Sequence, residues 1–309
     1  MKNSKLAIAI PTYNRCIALK ENLYAMLPDI RKYNIPIYIS DDSNNDETKI
    51  MVETLMHDYP YIEYRHNTPA LGHDANCFFT LSLPQEEYVW YLADSRCIKQ
   101  GAIKAILDHL DLKDYDYISV NSDGRTLDIP SKVYHDYLSL VSELGWHITM
   151  TGITIYKQKN IFPTRDNLKC TYKNFPQIAL ILTGMLENNK TLLWLNDKLV
   201  LGNTKTVSYW SEKVFDVFAQ DWNSFIFSLP DNLNHQQKLM IAKSHSQKTG
   251  IFGFKAFLRY RYKNVFNYQI LRKYFSDIRM SSHISIISIL FIAILPIQIV
   301  NFIFKIAKK

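Results

Sequence analysis

The sequence predicts an α/β fold, with a mostly parallel sheet, helices on both faces, and a helical C-terminal tail. Short apolar runs that end in polar residues alternate with helix-length segments over the first 120 residues. The first two runs, 6–12 and 36–41, are separated by one helix-length segment, which is typical of a β-α-β unit. Residues 251–309 differ from the rest, because they combine basic and aromatic residues with a long apolar run.

The individual elements follow from these runs. Strands are predicted at 6–12, 36–41, 61–65, 88–92, 116–120 and 191–201. Helices are predicted at 17–33, 46–58, 74–83, 101–110, 134–144 and 175–187. The second helix opens with Asp46 and Glu47, acidic residues that suit the positive N-terminal end of a helix. Beyond residue 125 the alternation loosens, so the sheet prediction depends mainly on the first 120 residues.

Polar residues follow the first two strands directly. The first strand ends in Pro11, Thr12 and Tyr13, followed by Arg15, and the second ends in Asp41. In open α/β sheets, ligands bind outside the carboxyl ends of the strands. These strand ends therefore predict a binding site.

The two strand ends together resemble the start of a family 2 glycosyltransferase with the GT-A fold. The resemblance implies that a nucleotide-sugar binds here and that its base lies between the groups of Pro11, Thr12, Tyr13 and Arg15. It further implies that Asp41 accepts a hydrogen bond from the base and that the Asp41-Asp42-x-Ser turn helps to hold the donor. The alternative is that Asp41, Asp42 and Ser43 only cap a turn or the next helix.

A second stretch, Asn67-x4-Gly72-x3-Asn76, departs from the pattern of the family. Relatives usually show Asn-x-Gly before a helix that bears Arg-Asn, whereas here the gap is longer and Ala75 precedes Asn76. Gly72 permits a turn with positive φ, and a helix from His73 would direct its amides toward a phosphate or ribose. Ordinary turn chemistry is the alternative.

The stretch from Tyr91 to Arg96 stands where the family places its Asp-x-Asp metal motif. There, two carboxylates hold Mg²⁺ or Mn²⁺ against the donor diphosphate. This chain keeps Asp94 but has Ala93, Ser95 and Arg96 beside it. Ser95 or water would complete a metal site at Asp94, or Arg96 would itself place a positive charge near the diphosphate. A third alternative is that Arg96 only pairs with a surface acid.

The catalytic base is the least defined residue. The family uses an Asp or Glu some way past the metal motif to deprotonate the acceptor hydroxyl. That region here contains Gln177, which cannot accept a proton, and the candidates are Asp166 and Asp221. The sequence Phe175-Pro176-Gln177 is similar to that of abequosyltransferase-like members of the family, which build O-antigens.

The C-terminal tail carries all of the excess positive charge. Residues 251–309 contain ten Lys or Arg and one acid, which gives +9, and the first 250 residues contain 26 basic and 28 acidic residues, which gives −2. The tail ends in an apolar run from 284 to 304, about as long as a membrane-spanning helix. We predict a catalytic domain over 1–250 and a membrane-associating segment over 251–309, with an anionic membrane surface as its partner rather than nucleic acid.

These observations predict a glycosyltransferase at the cytoplasmic face of the inner membrane. Four widely spaced cysteines suit a reducing compartment. The expected donor is a UDP-sugar and the expected acceptor is a lipid-linked saccharide of O-antigen or capsule synthesis. The alternatives are a nucleotidyltransferase, which the lack of Gly between Pro11 and Arg15 disfavours, and a catalytically decayed GT-A protein that serves as a binding or scaffold module.

Overall fold

The computed structural model describes residues 1–188, 190–203, 205, 210–230 and 233–306. In these ranges the chain forms one nine-stranded sheet. Its strands are β1 Leu6–Thr12, β2 Ile37–Asp41, β3 Ile62–His66, β4 Tyr88–Tyr91, β5 Arg96–Ile98, β6 Tyr117–Ser122, β7 Lys132–Tyr134, β8 Thr154–Lys157 and β9 Leu192–Gly202. The strand order is β3-β2-β1-β4-β8-β6-β9-β5, and β7 pairs with β9 away from this path.

The chain divides into two compact units. The first comprises Met1–Leu140, His147–Lys169 and Phe175–Val207, and the second comprises Val141–Trp146, Cys170–Asn174 and Ser208–Lys309. The first unit contains the sheet and the helices α1 Cys16–Tyr33, α2 Glu47–Asp58, α3 His73–Ser82, α4 Ala102–Leu112, α6 Gln158–Arg165 and α7 Pro176–Asn188. Helix α5, Tyr137–Ile148, contributes residues to both units. The division into a catalytic domain over 1–250 and a membrane-associating segment over 251–309 stays a prediction.

The sheet is mixed but mostly parallel, as predicted: six of its nine strands run in one direction, because β6 and β9, which are parallel to each other, point the same way as β1 to β4. Strands β1 to β4 run parallel to one another. Strand β8 lies antiparallel between β4 and β6, and β5 and β7 are antiparallel to β9. The sequence does not predict these three strands, because each has only three or four residues, too few to show a period.

Burial of apolar side chains explains the first strands. All of Leu6 to Ile10 in β1 are at most 1 % exposed, and Ile37 and Ile39 of β2 are equally buried. Each fully buried Leu or Ile stabilises the fold by about 1.5–3 kcal/mol relative to an exposed one. A strand apolar on both faces belongs inside a sheet with helices on either side, as predicted.

The helices that flank the first strands are bounded by residues with positive φ, Asn34 after the end of α1 and Gly72 before the start of α3. Helix α1 stops at Asn34, which has a left-handed backbone with φ of 52°. Helix α3 follows Gly72, whose φ is 82°. A positive φ costs glycine little, so Gly72 lets the chain turn sharply from β3 into α3. These turns set the loops that carry the candidate site.

The second unit is helical and aromatic. It contains a π-helical turn at Asp216–Asp221 and the helices α8 Trp222–Ser228, α9 His235–Thr249, α10 Phe254–Tyr262, α11 Tyr268–Lys273, α12 Phe275–Ser281, α13 Ile286–Ile294 and α14 Ile297–Ile306. Phe215 lies at the centre of an aromatic cluster. Its ring lies within 6.1 Å, between centroids, of five rings, those of Phe252, Phe257, Tyr260, Phe266 and Tyr274.

The apolar run of the tail forms two helices, α13 and α14, instead of one. Leu295 lies between them with ψ of 129°, because the residue before a proline is driven away from the helical region by the ring of Pro296. Within the described ranges, no helix combines the length and apolar character that crossing a membrane requires.

Candidate functional site

The ends of β1, β2 and β3 form one polar edge of the sheet. Thr12 pairs with Asp41 in the parallel register, and Asp41 pairs with His66. The ladder continues past the strand ends, since the Asp42 amide donates to the Thr12 carbonyl at 3.0 Å and the Asn67 amide donates to the Asp41 carbonyl at 2.8 Å. The residues after the three strands are therefore brought together at the edge where such sheets bind ligands.

Asp41 is fully buried, at 0 % exposure. Its Oδ1 accepts a hydrogen bond from the Ser43 amide at 2.8 Å, and its Oδ2 accepts one from the Tyr64 hydroxyl at 2.7 Å. Burial, together with the hydrogen bond to this carboxylate, raises the pKa of Tyr64, so the phenol keeps its proton. The capping alternative for Asp41 is therefore present in the structure, and its contact with a donor base stays a prediction.

Asp42 fixes the turn that precedes α3. Its Oδ1 accepts from the Asn67 amide group at 2.7 Å and from the Leu71 backbone at 3.1 Å, and its Oδ2 accepts from the Gly72 backbone at 2.8 Å. The amide of Gly72 thus bonds to Asp42. The turn-chemistry alternative for the Asn67–Asn76 stretch is therefore present in the structure, and the contact of Asp42 and Gly72 with a donor stays a prediction.

Asn76 joins this network from the first turn of α3. Its Oδ1 accepts from the Ser40 hydroxyl at 2.5 Å, and the Asn67 side chain donates to Ser40 Oγ at 2.9 Å. Four side chains from β2, the loop after β3 and α3 are thereby locked together. Sequence reasoning had named Asn67 and Asn76 but missed Ser40, because a serine inside an apolar strand gives no signal of its partners.

Residues 11–15 form the other wall of the site. Tyr13 is 56 % exposed, and an exposed aromatic ring at a strand end is suited to stacking on a base. The backbone amide of Asn14 donates to Ser43 Oγ at 2.8 Å, so this loop is held against the Asp41–Ser43 turn. Pro11 and Thr12 lie within β1, beside Ser40 and Asp41.

Asp94 follows β4 and is bonded to residues of β1 and α1. Its Oδ2 accepts from the Thr12 hydroxyl at 3.1 Å, its Oδ1 lies 3.3 Å from Arg15 Nη1, and its backbone carbonyl accepts from Asn22 at 2.7 Å. Burial raises the pKa of Asp94, and the Arg15 charge and the Thr12 hydrogen bond offset this only in part. The structure thus brings Asp94 into contact with Thr12 and Arg15, which were predicted at a different strand end.

Arg96 opens β5 and pairs with an acid. Its Nη1 lies 2.7 Å from Asp123 Oδ2 and 3.0 Å from Ser122 Oγ, and the Gly202 amide donates to Asp123 Oδ1 at 2.8 Å. Although burial alone would raise the pKa of Asp123, the Gly202 amide, Ser122 and Arg96 together lower it. The acid-pairing alternative for Arg96 is therefore present, and its role toward a diphosphate stays a prediction.

The two candidate bases have other partners. Asp166 accepts two hydrogen bonds from the guanidinium of the adjacent Arg165. Asp221, in the second unit, is buried and accepts from Asn174 at 2.6 Å and from Lys173 at 3.3 Å. Neither pairing decides the role of these residues, which stays a prediction.

The residues around Asp94 do not fit a divalent cation held by the protein. Both carboxylate oxygens are engaged by Thr12 and Arg15, and the neighbouring position in the motif is the cation Arg96. Mg²⁺ and Mn²⁺ require several oxygen ligands, and two carboxylates commonly supply the charge. In the ranges that the structure describes, no three His, Cys, Asp or Glu side chains are grouped so that they could hold a metal ion.

Sequence comparisons identify relatives of known activity. The chain is 32 % identical over 112 residues to abequosyltransferase RfbV of Salmonella typhimurium and 29 % identical over 104 residues to the GalNAc(5)-diNAcBac-PP-undecaprenol beta-1,3-glucosyltransferase of Campylobacter jejuni. The alignments cover 34 % and 33 % of this chain and 32 % and 33 % of those proteins. The chain therefore spans about a third of the length of the curated relatives that it matches.

Solved structures share the fold over most of the chain. S. aureus TarS 1–349 in complex with UDP-GlcNAc matches with a TM-score of 0.55 and 13 % identity, over 89 % of this chain and 82 % of that one. The mannosyltransferase PcManGT from Pyrobaculum calidifontis, in complex with GDP-Man and Mn²⁺, matches with a TM-score of 0.56 and 11 % identity, over 91 % and 86 %. These likenesses confirm the GT-A-like mixed α/β fold.

A family model decides the assignment. The glycosyl transferase family 2 model matches residues 7–171, more than half of the chain, and this range contains β1 to β4, Asp41, Asp42 and Asp94. The family that the strand ends resemble is thereby confirmed. The chain belongs to glycosyl transferase family 2 and is a glycosyltransferase.

Proposed function

We propose that this glycosyltransferase moves a sugar from a UDP-linked donor to a lipid-linked saccharide at the cytoplasmic face of the inner membrane. The observation that carries the proposal is the polar edge of the sheet, where Asp41, Asp42 and Asp94 lie at the ends of β2 and β4 within a family 2 domain. The carboxyl edge of such a sheet is where a nucleotide binds.

The donor side of the site has the groups that a uracil nucleotide requires. A ring N–H needs an acceptor, and Asp41 is an acceptor held in one orientation by Ser43 and Tyr64. Tyr13 supplies an exposed ring for stacking. TarS, a structural neighbour, binds UDP-GlcNAc, whereas PcManGT binds GDP-Man, so the choice of uracil depends on Asp41.

The acceptor follows from the relatives. The Campylobacter jejuni relative acts on a saccharide linked to undecaprenol through PP, and the Salmonella relative transfers abequose. An acceptor held on a polyprenyl diphosphate stays at a membrane, which suits the basic, apolar tail of this chain. We therefore place the reaction in the assembly of a surface polysaccharide such as O-antigen or capsule.

A donor screen followed by product analysis tests this function. Nucleoside diphosphates and their sugars are first compared by thermal shift, and we expect UDP and one or more UDP-sugars to raise the melting temperature. The stabilising donor is then incubated with a polyprenyl-diphosphate saccharide, and we expect a product one sugar longer by mass spectrometry. Stabilisation by GDP or dTDP instead of UDP would refute the donor assignment while leaving transfer open to the same product assay.

A second candidate is a binding module that has lost transfer. It is favoured by the reduced metal motif, in which Asp94 is the one carboxylate between Tyr91 and Arg96. Such a protein would bind a UDP-sugar, neither transferring nor hydrolysing it. Release of UDP from the sugar, measured with and without acceptor, separates the two candidates.

A further inference from the structure

We propose that the chain neutralises the donor diphosphate with the guanidinium groups of Arg96 and Arg125, in place of a divalent cation held by carboxylates. The inference rests on the proposed function, since it requires a nucleoside diphosphate at the carboxyl edge of the sheet. It explains a disagreement in the site: the family motif implies a metal, whereas the side chains present do not fit one.

The first observation is that Asp94 is used within the protein. Thr12 and Arg15 bond to its two oxygens, and its backbone bonds to Asn22. A cation bound to this carboxylate would lie beside the Arg15 guanidinium, whose Nη1 is 3.3 Å from Oδ1, and would be repelled by its charge. The next side chain that could act electrostatically, Arg96, bears a positive charge that repels a metal ion and attracts a phosphate.

The second observation is that the fold provides space for Arg96. A Cβ on Gly152 would lie 3.0 Å from Arg96 Cγ, and a Cβ on Gly202 would lie 2.7 Å from Arg96 Nη1. Both distances are shorter than ordinary carbon contacts, so the two glycines leave a channel through which this side chain passes. Asp123 and Ser122 then hold Nη1 at its end, which fixes the plane of the guanidinium.

The third observation is a second arginine beside the first. Arg96 Nη2 lies 3.6 Å from the sulfur of Met150, and Arg125 Nη1 contacts the same sulfur at 2.7 Å. The two guanidinium groups therefore converge on one methionine. The charge of Arg96, after burial, helps to lower the pKa of Arg125, as expected for two cations held close together.

The Arg96 guanidinium keeps donors that an anion can use. The Arg96 side chain is 21 % exposed, so part of its donor fork faces solvent. A guanidinium carries five N–H donors, and Asp123 and Ser122 occupy only Nη1, so donors remain for phosphate oxygens. Fixed positive groups of this kind stabilise the charge that develops on a leaving diphosphate.

Calorimetric binding with and without metal tests the proposal on the full-length protein. The probes are UDP, GDP and the matching monophosphates, each titrated in EDTA and then in Mn²⁺. We expect the preferred diphosphate to bind wild-type protein in EDTA within about threefold of its affinity in Mn²⁺, because the charge it needs is already in the protein. Arg96→Ala should weaken diphosphate binding in EDTA about tenfold or more and monophosphate binding much less.

Matched variants separate charge from folding. Arg31→Ala removes one positive charge near the end of α1, at the opposite edge of the sheet, and should leave diphosphate affinity unchanged. Arg96→Lys keeps the charge without the fork, so its affinity should lie between those of wild type and Arg96→Ala. Should Arg96→Ala fail to fold, as judged by its melting curve, Arg125→Ala and Arg96→Lys provide the same comparison.

The outcomes that overturn the proposal are distinct. Diphosphate binding that disappears in EDTA and returns with Mn²⁺ refutes it and leaves the proposed function standing. Unchanged binding by a folded Arg96→Ala protein in EDTA also refutes it. If no nucleotide or nucleotide-sugar binds under either condition, the proposed function fails together with it.

Discussion

Each carboxylate oxygen of Asp41 already accepts one hydrogen bond inside the protein, and the residue has no exposed surface. The Tyr64 hydroxyl therefore competes with a donor base for Oδ2. Tyr64→Phe removes that competitor, so we expect UDP to bind as tightly as to wild type, or up to about tenfold more tightly, given the 0.5–1.5 kcal/mol of an ordinary hydrogen bond. Calorimetry measures this.

The matching variant is Asp41→Asn, in which an NH₂ group, a hydrogen-bond donor, replaces one of the two acceptor oxygens of the carboxylate. It should weaken UDP binding by about 1–3 kcal/mol, the cost of leaving a buried polar partner without its bond. Asp108→Asn, on the exposed side of α4, is the control and should bind normally. Weaker binding by Tyr64→Phe, with normal binding by Asp41→Asn, would make Asp41 a purely structural residue.

The buried charge of Asp94 should lower the stability of the protein at neutral pH, although we expect it to be needed for transfer. An acid whose pKa is raised by folding holds its proton more tightly in the native state, so its contribution favours folding at low pH and is lost as the pH rises through the native pKa. At neutral pH the buried charge is therefore a cost. Asp94→Asn should raise the melting temperature above that of wild type at pH 7. This difference should become smaller as the pH falls toward 4, and the variant should be unable to transfer sugar. A lower melting temperature at pH 7 would contradict this.

At the residue scale, the sequence predicted which residues lie in the site but not what they contact. Asp41, Asp42 and Asp94 were predicted because they lie at or just beyond the ends of apolar strands, at positions that match motifs of the family. Asp123 was not recognised, since its connection to Arg96 depends on β9 returning beside β6 and bringing Gly202 next to it. Contacts between segments about 80 residues apart in the chain leave no local pattern.

At the scale of elements, the turn into β8 is the one that the site constrains most. Gly152 precedes β8 with φ of 111°, and a Cβ there would lie 3.2 Å from the Ala93 amide nitrogen as well as against Arg96. Gly152→Ala should destabilise the protein by about 1–3 kcal/mol through backbone strain alone, with a further cost from the contact. Denaturant unfolding measures both.

Gly101 supplies the control for that measurement. Its φ of 84° is also positive, but a Cβ there meets nothing within 4 Å. Gly101→Ala should therefore report strain alone, and the excess loss in Gly152→Ala should report the clash with the Asp94–Arg96 turn. Equal losses in the two variants would mean that Arg96 does not depend on the space at Gly152.

Some strands can be predicted from the local pattern of residues in the sequence, and others cannot. Strands β1 to β4, β6 and β9 were placed to within about two residues, because each carries apolar or aromatic residues between polar turns. Strands β5, β7 and β8 are three or four residues long and exist through their pairing with β9, β4 and β6. Tertiary pairing, not local preference, makes them strands.

At the scale of the whole molecule, the basic C-terminal tail packs against residues that precede it in the chain. Phe252, Phe257 and Phe266 pack around Phe215, and all four belong to the second unit. Deleting residues 251–309 would expose Phe215, so loss of membrane binding after deletion would not separate unfolding from lost contact. Substitutions on the exposed side of α13 provide the cleaner test.

That side of α13 is apolar. Ile287, Phe291 and Ile294 are 75 %, 55 % and 60 % exposed and lie at helical spacing on one face. The same helix packs against α10, which bears exposed basic residues, so an apolar stripe and positive charge occur together in the second unit. This combination is typical of a helix that lies in the plane of an anionic membrane surface.

Vesicle flotation tests this membrane prediction. The full-length protein should float with phosphatidylglycerol vesicles and much less with phosphatidylcholine, because each Lys or Arg near an anionic surface contributes about 1 kcal/mol. The triple substitution Ile287→Ser, Phe291→Ser, Ile294→Ser should abolish flotation in high salt, since it removes the apolar contacts that salt does not weaken. The control Ile50→Ser/Leu112→Ser changes equally exposed residues of the first unit and should float like wild type. Wild-type protein that ignores anionic vesicles, or a triple variant that floats unchanged in high salt, would show that α13 does not contact the membrane.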